Sequence, residues 1–472
     1  MTPNSNSLQF FTVVARNYLA YAFVLGESVL RYHPDASFSI FLMDDLDHGL
    51  QSSIEARGFR SIYPEEIPLA GYRKFVFQYN VTEASTGVKP SVMKMLFGEG
   101  AEKVIYLDPD ILCFRRFDEV LAFLDQCCVV LTPHICSPAP DDYYPDDKGF
   151  MSSGVFNLGF IALRKSETST QFLNWWSDHL RHECVAEPDA GLFVDQRWVD
   201  LVPVCFDHVY IMRNVAYNIA YWNLHERLLE ERGHVFYEVQ SGERVAFIHF
   251  SGFELQDLNS ICKYAARNPL GTSTHKKRYT LTTRPDLVGP FQMYRQLVVA
   301  ANVESFARIP YAYAKYDNGE AISQLERSLY LSSATWMESD ADPFRTGHGT
   351  FWDACRKAGV RAGAVSTVKS SVQETIEKYG LYMRMIEFVL RCFLRVLGPE
   401  KYLGFAKYMR HQFLPLNHGF LLRGGAVSGL NPLKGRFWGN RLSPGVPHFR
   451  DGSDKNLRQD LEPAAGTTSR KD

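Results

Sequence analysis

Apolar residues fall into short runs along about the first 260 positions, and the spacing within each run sets what it can form. Residues 8–14 join apolar, β-branched and aromatic side chains, which predicts a buried strand. Tyr18, Tyr21, Ala22, Leu25, Val29 and Tyr32 then follow at helical spacing, predicting a helix over 17–32. Residues 38–43 predict a second strand closed by Asp44 and Asp45, residues 48–57 a helix, and residues 59–63 a short strand. Residues 90–98 read as a helix and 104–107 as a buried strand ending in Asp108. Further strands are predicted at 129–132, 155–163, 209–212 and 245–250. Apolar strands alternating with helical patterns predict an α/β fold, a mainly parallel sheet flanked by helices on both faces. Ligands of such sheets bind beyond the carboxyl ends of the strands, so the residues just after each strand carry the candidate chemistry.

Residues 137–153 (SPAPDDYYPDDKGFMSS) interrupt this alternation. They predict a loop longer than most connections, a length that leans functional. Its Asp141, Asp142, Asp146, Asp147, Tyr143 and Tyr144 fit either a solvated acidic loop or an acceptor-side lid. Trp175 and Trp176 fall in a helical stretch and are expected in the core. The run 311–319 with its Asn-Gly pair, followed by Arg327, reads as structural turn chemistry, with substrate or donor contact as the alternative. The expected organisation is a first domain over 1–263, a mixed extension over 264–363 packing on it, a helical basic region over 364–445 and a disordered tail over 446–472.

At 472 residues the chain is long enough for two or three compact units. With 51 basic against 53 acidic residues its net charge is −2, which argues against nucleic-acid binding over the whole surface. Nine cysteines without a C-x-x-C pair, Cys127 and Cys128 among them in a strand-like run, are expected to be reduced core thiols. The absence of a long apolar run and of a basic start after Met1 points to a cytoplasmic protein. One stretch departs from the overall balance. Between Leu381 and Arg441 ten Lys/Arg face two Glu, a net of +8, with Arg384, Glu387, Arg391 and Arg395 on one helical face. That pattern fits a solvated basic face or peripheral contact with an anionic inner membrane face.

The densest local chemistry is Lys103-Val-Ile-Tyr-Leu-Asp108-Pro-Asp110. Two carboxylates two residues apart stand where an apolar strand ends, and Pro109 stiffens the turn between them. Hard cations such as Mg²⁺ or Mn²⁺ take one or two carboxylates together with substrate phosphate oxygens. A D-x-D triplet can equally be a solvated turn. The run Val245-Ala-Phe-Ile-His249-Phe-Ser-Gly252 ends a second apolar strand in a histidine, either a core histidine or a third metal ligand.

The order Thr12-Val-Val-Ala-Arg16-Asn17-Tyr18, Asp108-Pro-Asp110, Phe156-Asn157-Leu-Gly159, Asp195-Gln196 and Ile248-His249-Phe250 resembles the GT-A glycosyltransferases, above all family 8 with glycogenin and the bacterial lipopolysaccharide galactosyl- and glucosyltransferases. The resemblance spans about residues 8–255 and implies the GT-A nucleotide-diphospho-sugar transferase fold. It implies Asp108, Asp110 and His249 as ligands of Mn²⁺ or Mg²⁺. Val14, Arg16, Asn17 and Tyr18 would bind the nucleoside of the donor, expected to be a UDP-sugar. Lys89 or Lys94 would contact the donor, and Asn157 would lie near its sugar. Asp195 would bind sugar hydroxyls, and Gln196 would lie near the anomeric carbon, as in retaining members. The segment after His249 lacks the lysine that the family often carries there, with Lys263 the nearest replacement. The expected activity is metal-dependent transfer to a glycan or lipid-linked acceptor. A non-catalytic sugar- or nucleotide-binding module and a metal-dependent nucleotidyltransferase are the alternatives.

Overall fold

The computed structural model describes residues 7–45, 47–141, 143–264, 277–360 and 372–422. A seven-stranded sheet runs in the order Val209–Ile211, Val129–Pro133, Phe156–Arg164, Lys103–Leu107, Leu8–Val14, Ser37–Leu42, Arg60–Ile62. Four of its pairings are parallel. Phe156–Arg164 alone runs against both of its neighbours. The sheet is therefore mainly parallel, as the alternation predicts, with one reversed strand that the pattern does not reveal.

Both faces of the sheet are apolar because both are covered. Phe11 and Val13 bury on one face with Val104, Tyr106, Leu131 and Ile161, under Val92, Met93, Phe172 and Trp176 of the helices Lys89–Gly98 and Glu167–Glu183. Phe10 and Val14 bury on the other face with Ile40, Ile105, Leu107 and Val130, under Phe23 and Leu25 of Leu19–Tyr32 and Val120 and Leu124 of Asp118–Gln126. Each fully buried side chain of this size is worth about 1.5–3 kcal/mol. The strict alternation also fixes the register, since a one-residue slip would exchange the two faces.

Some expectations are corrected. The loop expected through Ser153 ends at Asp146, whose carboxylate accepts the Gly149 N–H (2.9 Å) and caps the helix Asp147–Ser153. The cysteines are free, but Cys136 and Cys205 are exposed and so are not core thiols. Cys127 ends a helix and Cys128 precedes the strand that starts at Val129. Asp142 and the stretch 423–472, including the expected tail, lie outside the described residues. Among the described residues no helix is long and apolar enough to cross a membrane.

Residues 277–360 fold against this core. Phe291, Tyr294 and Val298 of the helix Val288–Ala300 pack with Ala20 and Val24. The helix Gln324–Leu331 starts with a capping box between Ser323 and Glu326, which places Arg327 on its buried side. Arg327 donates from Nη1 to the carbonyls of Val76 (2.9 Å), Phe77 (2.7 Å) and Tyr79 (2.6 Å), and from Nη2 to that of Tyr313 (2.8 Å). This arginine is a clasp between the Tyr72–Gln78 helix end and the 311–319 run, in line with the structural reading of that run. Arg327→Met removes four charge-assisted bonds and strands buried carbonyls, at an expected cost of about 3–5 kcal/mol. Denaturant unfolding followed by circular dichroism checks this, and an unchanged midpoint would refute the clasp.

Candidate active site

The strand Lys103–Leu107 delivers Asp108 to the open end of the sheet. There the Asp108 N–H donates to Gly159 O (2.8 Å), and the Ile111 N–H closes the turn on Asp108 O (3.2 Å). The chain then forms a short strand, Ile111–Cys113, which pairs antiparallel with Phe247–His249 so that His249 stands opposite Ile111. The Phe250 N–H donates to Asp110 O (2.8 Å) and completes the pairing. This ladder brings a histidine from far along the sequence to the two aspartates. His249 Nε2 lies 3.0 Å from Asp110 Oδ1 and 3.7 Å from Asp108 Oδ2. One ligand atom from each of the three residues lies within 4.8 Å of the others.

His249 is buried, and its other ring nitrogen meets Asn157 Oδ1 at 3.2 Å. With Nδ1 carrying the proton, the ring donates to Asn157 and turns Nε2 toward the carboxylates. Burial disfavours the charged imidazole, but Asp110 and then Asp108 outweigh it and the pKa rises. Asn157 also approaches the buried His134 (3.4 Å), whose pKa is lowered by burial to about 4, so that this second imidazole stays neutral. Gly159 makes the arrangement possible. A Cβ there would meet His249 Cε1 at 2.5 Å and Asn157 Oδ1 at 2.9 Å.

Lys89, the first residue of its helix, is only 1% exposed. Its ammonium lies 2.8 Å from Asp195 Oδ2 and 3.9 Å from Asp108 Oδ1, donates to Leu158 O (2.9 Å), and sits 4.1 Å from the centre of the Tyr106 ring. Tyr106, two residues before Asp108 on the same strand face, donates its hydroxyl to Asp108 Oδ1 (2.5 Å). Asp195 is as buried as the lysine. Burial raises its pKa, and the charge of Lys89 pulls the other way. The indole N–H of Trp176 holds the Asp195 carbonyl (3.1 Å). The preceding Val194 has φ 43°, a left-handed conformation that strains a β-branched residue. Gln196 turns its amide to the Ser153 carbonyl (2.6 Å) rather than to the aspartates.

The first β–α turn stands beside this group. Val14 is buried, and its carbonyl accepts the Met43 N–H (2.9 Å). Arg16, Asn17 and Tyr18 form one 3₁₀ turn before the helix proper. Asp44, fully buried, accepts the Arg16 N–H (2.8 Å) with one oxygen and the Ala312 N–H (2.8 Å) with the other. Arg16 itself donates to Asp45 O (2.8 Å). Tyr18 is 41% exposed, with its ring 5.1 Å from that of Tyr21. Burial first and the charge of Asp110 second raise the pKa of both phenols, which sets the turn within the field of Asp110. Two candidates lie elsewhere. Lys94 is half-buried, within the fields of Asp178 and Arg181 on the Glu167–Glu183 helix. Lys263 is exposed, its ammonium 5.1 Å from the Tyr264 ring and its backbone N–H donating to Gly252 O (2.9 Å).

Sequence reasoning gave no role to Asp44 or Tyr106. Tyr106 was open to discovery, since the two-residue period of a strand sets it on the face of Asp108. Asp44 was not, because its second partner is a backbone amide in the extension. Gly159→Ala is expected to cost about 2 kcal/mol or more through the clash with the imidazole. In a His249→Ala background the same change should cost much less. Thermal unfolding of the four proteins tests this, and equal penalties in both backgrounds would refute it.

No protein-family model matches the chain. Two curated Bacillus subtilis (strain 168) proteins are similar to it, both uncharacterized. YfnF is 23% identical over 291 residues, covering 61% of this chain and 90% of its own. YfnD is 22% identical over 255 residues, covering 53% and 79%. Similar solved structures are glycosyltransferases. The galactosyltransferase LgtC in complex with donor and acceptor sugar analogs has a TM-score of 0.33 at 15% identity, covering 64% of this chain and 97% of its own. GlyE of Streptococcus pneumoniae TIGR4 has a TM-score of 0.34 at 13% identity, covering 66% and 67%. Mouse xyloside xylosyltransferase 1 has a TM-score of 0.30 at 11% identity, covering 51% and 96%. Overlaps this loose carry no argument of their own, and the functional reading rests on the site.

Proposed function

We propose that the chain is a metal-dependent glycosyltransferase that moves a sugar from a nucleotide-diphosphate donor, by our reading a UDP-sugar, to a glycan or lipid-linked acceptor with retention of configuration. The observation that carries this is the convergence of Asp108, Asp110 and His249 at the carboxyl end of the sheet, beside an aromatic first turn. Two carboxylates and one imidazole nitrogen are a fitting donor set for Mn²⁺ or Mg²⁺, and their mutual spacing lets one ion reach all three. Such an ion, when bound, stabilises the negative charge that grows on a leaving diphosphate.

The chain's own residues divide the remaining work. Tyr18 offers a half-exposed ring on which a base can stack, and Arg16 and Asn17 lie in the same turn for the ribose. Lys89 holds Asp195 and Asp108 in fixed positions by one buried ammonium. Asp195, in contact with that lysine, would accept hydrogen bonds from sugar hydroxyls in this reading. Asn157 orients His249 from the strand that lies beside the donor sugar in this reading. Gln196, its amide held by the Ser153 carbonyl, would position rather than attack in this reading. Asp141 and the neighbouring Tyr143, tied by Arg278, form an acceptor-side wall.

Two outcomes are expected. Asp110→Asn should retain the fold and lower Mn²⁺-dependent donor turnover by about a hundredfold or more, and EDTA should abolish turnover in the unaltered protein. A panel of nucleotide sugars assayed for hydrolysis and transfer checks both. Full activity in EDTA would refute the metal, and donor binding without turnover would favour the binding-module reading. The second outcome is stereochemical. An α-linked donor should give an α-linked product, read from the anomeric proton by NMR. A β-linkage would refute retention.

A further inference from the structure

The helical segment Val372–Phe413 is not one rod. Gly398 takes φ 73°, in the left-handed region, and Pro399 follows it. In an unbroken helix Phe393 and Phe405 would stand about 18 Å apart. Their ring centroids are 5.0 Å apart, so the segment turns back on itself as a helical hairpin with its tip at Gly398 and Pro399. The second limb returns to the protein body. Arg410 meets Asp189 (3.1 Å), six positions before Asp195, and the turns Pro415–Leu422 pack on the helix Gln324–Leu331.

From Arg384 onward the first limb is largely exposed. Met385 is 59% exposed, Ile386 51%, Phe388 65%, Val389 48% and Val396 81%. Isolated exposed apolar residues are ordinary, but here they are contiguous along one limb. At about 100° per residue, Arg384, Arg391 and Arg395 fall within a stripe of about 40°. Met385, Ile386, Val389 and Val396 cover an arc of about 100° on the far side. From 384 to 410 the hairpin carries six basic and two acidic residues, in a chain whose net charge is −2. Positive charge is therefore concentrated where apolar surface is exposed.

We propose that this hairpin adsorbs to an anionic bilayer surface, with the apolar arc sunk among the lipid headgroups and the arginines at their phosphates. A broad apolar arc opposite a basic stripe along one helix is the pattern of a helix lying in the plane of the interface. A second copy of the chain could cover the apolar arc but would leave the positive charge unanswered. The inference concerns binding alone and stands apart from the chemistry of the site.

Flotation of the full chain with vesicles tests it, using equimolar phosphatidylcholine and phosphatidylglycerol against phosphatidylcholine alone. The chain should float with the anionic vesicles only and be released by high salt, since exposed charges are screened. The variants Arg384→Glu/Arg391→Glu/Arg395→Glu and Ile386→Glu/Val389→Glu/Val396→Glu should each bind at least about tenfold more weakly while melting like the parent. Binding that ignores lipid charge, or that survives both sets of substitutions, would overturn the proposal. A dimer seen by light scattering that the apolar-arc variant disperses, with no vesicle binding, would overturn it in favour of self-association.

Discussion

A buried ammonium cannot be left unanswered, and the interior of this protein is arranged around one. Removing Lys89 from water is tolerable only because Asp195 lies in contact, Asp108 lies a little farther off, a carbonyl accepts and an aromatic face closes the last side. Those partners come from three separate stretches of chain. Satisfying one charge therefore fixes the start of a helix, the end of the central strand and the strained peptide at Val194 relative to one another. The aspartate pair inherits that rigidity. Asp108 is held by Tyr106 from below and by lysine charge from the side, which leaves its other oxygen directed toward His249.

The extension beyond the sheet is part of the same construction. Asp44 divides its two oxygens between the first β–α turn and the amide of Ala312. Arg327 binds the carbonyls that end the Tyr72–Gln78 helix and that of Tyr313. The turn bearing Arg16, Asn17 and Tyr18 is thus braced from both sides, by the sheet that precedes it and by residues three hundred positions later. The extension is a structural buttress for that turn.

Much of this was legible in the sequence where the physics is local. Strand alternation, helical spacing and two acids at the end of an apolar run were sufficient to place the sheet and its open edge. The strand-end pattern left His249 open between a core histidine and a third ligand, because its meeting with Asp110 depends on the Ile111–Cys113 pairing, and no periodicity specifies which strand a three-residue segment will join. The burial of Lys89 was hidden for a related reason: a lysine reads as exposed until its partners are known. Lys94, five residues on, looks equivalent in sequence, yet it faces a neighbouring helix. The helix within 137–153 was missed because glycine and proline masked a cap at Asp146. The reversal at Gly398 was missed because helical periodicity continues on both sides of it.

The reversed strand Phe156–Arg164 has a further effect. Its neighbours reach the open edge of the sheet with their last residues, but it arrives there with its first, Phe156 to Gly159. The residues it contributes are therefore joined at once to the preceding segment, 134–155, and not separated from it by the length of a strand. Insertions or deletions between Ser137 and Asp146 would reshape the open end of the sheet while its register, set by the alternating cores, stayed fixed. One end of this protein is thus free to diversify in length and side chain beside a framework that cannot.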